Sequence, residues 1–149
     1  MKNVSISVQT EDFDIGREID VLTADTGVAG AVASFIGLVR DEGKSLAAMT
    51  LEHYPEMTEK AIGEIVDTAL QRWSLLGVRV IHRIGRLLPG DRIVLVAVSS
   101  THRGEALKAC EFIMDYLKTQ APFWKKEETP DGAHWVDARE SDDDAASRW

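Results

Sequence analysis

A chain of 149 residues is the usual size of one domain and can bury a core without disulfide or metal staples. Its formal charge of -8 and pI near 5.0 set it against nucleic acid and anionic lipid, and 44% hydrophobic with 28% charged residues excludes a disordered chain. The opening MKNVSISVQTEDFD lacks a signal-peptide core, no apolar run approaches the roughly 18 to 20 residues of a membrane helix, and Cys110 has no second cysteine to pair with, so a reducing cytoplasmic setting is expected.

Val4 to Val8 alternates apolar and polar residues and predicts a half-buried strand. Asp14 is placed to cap a short helix through about Leu22, ended by Asp25-Thr26-Gly27. Val28 to Val39 reads as a buried strand with Arg40 at its exit, Asp41 to Ser45 as a polar loop, and Leu46 to Tyr54 as a further strand. Pro55 opens a helix whose apolar residues run at helical spacing to Trp73. Val78 to Ile84 and Ile93 to Val98, around the turn Leu88-Pro89-Gly90-Asp91, predict a hairpin.

Leu107, Cys110, Ile113, Met114 and Leu117 mark one face of a helix from about Arg103 to Lys118, which Gln120-Ala121-Pro122 stops. Phe123 to Glu127 and His134 to Asp137 then flank the turn Thr129-Pro130-Asp131-Gly132 as a second hairpin. The acidic stretch 140–149 reads as a solvated, flexible tail. With no repeat or linker, residues 1–149 make one α+β domain, a mainly antiparallel sheet packed with helices.

Two segments carry candidate chemistry. Ser99-Ser100-Thr101-His102-Arg103-Gly104 joins an apolar strand to a helix N-terminus, where free amides and two cationic side chains suit an anion; the plainer reading is a helix cap with His102 and Arg103 in solvent. Asp115 to Glu127 places Lys118 and Lys125 on either side of a proline bend that can aim both at one point. Crowded cations disfavour the charged form of a lysine, so these two are acid-base candidates, whereas a lysine near a helix C-terminus is also favourable without any function. Lys126 should face the other side of its strand. Arg40 is a candidate anion fork or a surface salt-bridge partner. His53, His82 and His134 lack metal-ligand spacing, Cys110 reads as an inert core thiol, and the four tryptophans read as core or interface, so no metal or cofactor is expected.

Leu51-Glu52-His53-Tyr54-Pro55, His82-Arg83-Ile84-Gly85, Pro89-Gly90-Asp91, Thr101-His102-Arg103, Phe112 to Lys118 and Ala121-Pro122-Phe123-Trp124-Lys125 stand in one order over nearly the whole chain. Together they resemble the large, catalytic subunits of molybdopterin synthases. The resemblance implies an α/β-hammerhead fold and a sulfurtransferase that forms a homodimer within a heterotetramer. It also implies a small ubiquitin-like sulfur-carrier subunit as partner, whose C-terminal thiocarboxylate supplies sulfur to cyclic pyranopterin monophosphate.

By the same resemblance Lys118 is the main catalytic lysine and Lys125 assists it. Leu38, Val39, Arg40, His102 and Arg103 line the substrate, Lys126 and Glu127 border the pocket, and Arg139 reaches the neighbouring subunit's site. Members of the family often carry a lysine two residues before the arginine, where this chain has Leu38, so position 38 contributes backbone at most. Two other classes remain open on the residues alone: a scaffold that only grips a carrier's tail, and a phosphoesterase using His102.

Overall fold

The computed structural model describes residues 3–24, 27–136 and 140–149. In chain order the elements are β1 (Asn3–Gln9), α1 (Ile15–Leu22), β2 (Ala31–Leu38), β3 (Ala48–His53), α2 (Met57–Arg72) and β4 (Leu75–Arg83). There follow β5 (Gly85–Leu87), β6 (Arg92–Ser100), α3 (Arg103–Gln120), β7 (Phe123–Thr129), β8 (Gly132–Val136) and α4 (Glu140–Ser147). Asp14 caps α1 as expected, its carboxylate accepting the Arg17 amide at 3.1 Å. The helix ends at Leu22 with Thr23 as its cap; Asp25 and Thr26 of the expected stop lie outside the described residues.

The near-continuous apolar run of β6 is explained by burial on both faces. Val94, Val96 and Val98 point into a core with α2 and α3, while Leu95 and Ala97 point the other way onto Phe13, Leu22 and Ile81 around α1. β6 is therefore central in the first sheet, ordered β1-β4-β6-β2, in which β1 pairs parallel with β4 and the other pairings are antiparallel. The predicted hairpin is present as β4 against β6. Its connection holds an additional strand: at Gly85, with φ of 89°, the chain leaves the first sheet and β5 joins a second one, ordered β5-β3-β7-β8. That sheet rests on a smaller core of Val39, Leu46, Met49, Leu51 and Leu87.

Two expectations are corrected. The segment read as a buried strand is β2, an edge strand with only Ala33 fully buried, because α3 covers one face and no strand lies beyond it. Phe35 and Leu38 consequently stay 40% and 56% exposed. The tail from 140 to 149 is solvated at Asp143 and Asp144 but not loose: it contains α4, and its last residue, Trp149, packs edge-on against Trp73 and Phe112 at 5.8 and 5.7 Å. The Trp149 indole N–H donates to Asp115 at 2.6 Å, and Arg148 pairs with Glu111 and Asp115 at 3.0 and 3.1 Å, so the end of the chain is tied to α3.

Candidate active site

α3 decides which of the predicted residues meet. His102 is its N-cap and Arg103 its first residue, while Lys118 lies in its last turn. Fifteen residues of helix separate Arg103 from Lys118, about 22 Å along the axis. Within one chain, then, the expected gathering of Arg40, His102, Arg103, Lys118 and Lys125 divides into two groups at opposite ends of a rigid helix. His102 and Arg103 are exposed, and no hydrogen bond from the His102 side chain caps the helix.

At the other end, contacts join Arg40 to β7. Arg40 follows β2 and donates to Glu42 at 3.0 Å; Lys44 lies 3.4 Å from Glu42 and 3.8 Å from Glu127. Glu127 is buried, at 7% exposure, and shares a face of β7 with Lys125, two residues earlier. The half-buried Lys125 pairs in register with Leu51 and Val136. Val39 is buried against Asp91, donating its amide to the Asp91 carbonyl at 2.8 Å, and Leu38 offers an exposed apolar side chain beside it. Lys126 takes the opposite face of β7, its ammonium 5.5 Å from the Trp135 ring centroid. Arg139 lies outside the described residues.

Lys118 stands at the end of a groove of about 440 Å³ between β2 and α3, walled by Ala33, Phe35, Leu107 and Met114, with Glu111 and Asp115 on its rim. The groove is apolar because Ala33 and Phe35 of β2 face Leu107 and Met114 of α3, and Phe35 and Leu107 stay 40% and 59% exposed. Cys110 also lines it, yet the thiol is 6% exposed and burial, helped by Glu111, pushes its pKa up to about 11. Thiol reagents at about pH 8 should therefore leave the native chain unlabelled and modify Cys110 only after denaturation, as mass spectrometry would register.

His82 is the feature that sequence reasoning set aside. Its ring stacks on Phe123 with centroids 3.8 Å apart and planes 18° from parallel, and its Nδ1 lies 2.9 Å from the Arg83 carbonyl. That contact selects the tautomer with the proton on Nδ1. Burial lowers the His82 pKa to about 4; the Arg83 carbonyl opposes this, while Lys118 and His53 add to it through their charge. His82 thus feels the charge of Lys118 and stacks on Phe123, two residues before Lys125. Only its place in the block His82-Arg83-Ile84-Gly85 marked it beforehand. Among the described residues no cluster of three or more His, Cys, Asp or Glu side chains is arranged to hold a metal, and no helix is long and apolar enough to cross a membrane.

Residues 8–120 match the family model described as MoaE protein. The chain belongs to the MoaE family. The molybdopterin synthase catalytic subunit of Ralstonia nicotianae is 62% identical over 147 residues, covering 97% of this chain and 84% of that one. The Escherichia coli protein of the same description is 56% identical over 151 residues, with all of both chains covered. Among solved structures, the MoaE protein of Burkholderia ambifaria superposes with a TM-score of 0.85 at 55% identity, covering 100% of this chain and 98% of that one. The MoaE likeness agrees with the α+β architecture and with the resemblance read from the sequence. This member of the family is accordingly a catalytic subunit and a sulfur-transferring enzyme of molybdenum cofactor biosynthesis.

Proposed function

We propose that the enzyme transfers sulfur from the C-terminal thiocarboxylate of a small ubiquitin-like carrier subunit to cyclic pyranopterin monophosphate, building the dithiolene of molybdopterin in two additions. The observation that carries this reading is the position of Lys118, in the last turn of α3 on an apolar groove, with Lys125 following in the next strand. An extended tail suits the groove, and its anionic end would meet cations on an otherwise acidic protein. Lys118 would polarise the carbonyl or move a proton during sulfur addition, with Lys125 beside it, Arg40 holding substrate phosphate, and Glu127 fixing the pocket wall. The inert Cys110 favours sulfur that arrives on a partner over sulfur carried by the enzyme itself.

The separation along α3 supports a homodimer as the working form. A second copy would bring its His102 and Arg103 to the lysine end of the first, which one chain cannot do for itself. Two large subunits with a carrier at each end make the heterotetramer, working in the cytoplasm. Incubation with the thiocarboxylated carrier and cyclic pyranopterin monophosphate should yield dithiolene product. Tight carrier binding without turnover would instead leave a scaffold.

A further inference from the structure

Between the two lysines α3 ends at Gln120, Ala121 and Pro122 make the bend, and Phe123 opens β7. Two side chains from elsewhere in the chain clamp that bend. The Thr58 hydroxyl, fully buried, donates to the Pro122 carbonyl at 3.1 Å while accepting the Tyr54 amide at 3.1 Å, and the Thr58 amide donates back to the Tyr54 carbonyl at 2.9 Å. The His82 ring lies flat on Phe123 and is itself held at Nδ1 by the Arg83 carbonyl. The Phe123 amide closes the bend onto the Ala121 carbonyl at 2.9 Å. His82 belongs to the first sheet and Phe123 to the second, so the stack also sets where the lysine-bearing strand crosses from one core to the other.

We infer that Thr58 and His82 are positioning residues for the lysine pair, holding the Pro122–Phe123 bend so that Lys118 and Lys125 address one reacting centre. Neither need touch substrate. Phe123 and Lys125 share a face of β7, so a shift of the stacked ring is passed directly to the lysine two residues on. A fully buried hydroxyl that both donates and accepts has one geometry that satisfies both bonds, which makes Thr58 a stiff anchor. The inference rests on the roles given to Lys118 and Lys125 under the proposed function.

The test pairs disruptive with conservative changes. Thr58→Val keeps the shape and removes the hydroxyl, and Thr58→Ser retains it; His82→Leu removes the stack, and His82→Phe retains a ring. In the sulfur-transfer assay Thr58→Val and His82→Leu should lower kcat about 10-fold or more with KM for both substrates within about twofold of the parent. Thr58→Ser and His82→Phe should recover most of the loss. Spin labels on Lys118→Cys and Lys125→Cys in a Cys110→Ala background, mixed with excess unlabelled chain so that each dimer carries one labelled copy, should give one narrow distance, broadened by Thr58→Val and His82→Leu and left narrow by Thr58→Ser.

Unchanged kcat in folded Thr58→Val and His82→Leu chains, or an unchanged distance distribution, overturns the inference. If the parent chain transfers no sulfur, the functional reading falls. The distance measurement then decides the positioning role alone. Should one disruptive variant fail to show a native circular dichroism spectrum, the other, at an independent contact to the same bend, decides between the outcomes.

Discussion

Lys118→Ala is expected to lower the rate of dithiolene formation by about 100-fold or more, the usual weight of a proton-transfer group, while the carrier still binds. The side chain is exposed at the end of α3, so its removal should move the unfolding free energy by no more than about 0.5 kcal/mol, and loss of activity would not reflect loss of fold. Full activity in Lys118→Ala would remove the residue from the mechanism. The same variant examines the dimer. Mixed with a His102→Ala, Arg103→Ala chain, it should regain about a quarter of wild-type activity, because random exchange makes half the dimers mixed and each mixed dimer keeps one of its two sites. Two inactive chains that stay inactive together would place both groups in one protomer's site, against the length of α3.

Acid should destabilise the protein through His82. The folded chain holds this imidazole at about 4 against an ordinary 6.5, so between those values the unfolded chain binds a proton that the folded one excludes. Stability from this group is complete above pH 6.5 and falls as the pH drops towards 4. Between about pH 7 and about pH 5 the loss should approach about 2 kcal/mol. His82→Phe keeps a ring against Phe123 and cannot titrate. Its stability at about pH 7 should start about 1 kcal/mol lower, for want of the bond to Arg83, and change less on acidification. Urea midpoints for both chains at the two pH values measure the difference; parallel curves would show that His82 is not the acid-sensitive group.

Much of the fold was legible because its signals are local. Asp14 before an apolar period, the amphipathic face of α3 and the Thr129–Gly132 turn each determine structure within a few residues of themselves. What escaped depends on neighbours distant in sequence. β5 is three residues long and exists because β3 pairs with it. β2 has the composition of a buried strand but lies at an edge, and α4 is acidic yet followed by a tryptophan that finds Phe112 and Trp73. The site divides in the same way. Lys118 and Lys125 were visible from a proline between them, whereas the distance from Lys118 to His102 follows from helix length and could have been counted beforehand. Thr58 and His82 carry no motif chemistry of their own; their contacts to Pro122 and Phe123 exist only in three dimensions.

The parallel pairing of β1 with β4 bears on how the chain comes into being. Asn3 aligns with Gly77, so the first strand made must wait for a partner synthesised about 70 residues later. At the usual pace of translation that is roughly 4 to 15 s. Throughout that interval the nascent chain carries an alternating apolar strand with open hydrogen-bonding edges, and α1 lacks the β4 and β6 surface on which it will rest. Slow or crowded synthesis should therefore harm this protein first at β1, whose Val8 pairs in register with His82.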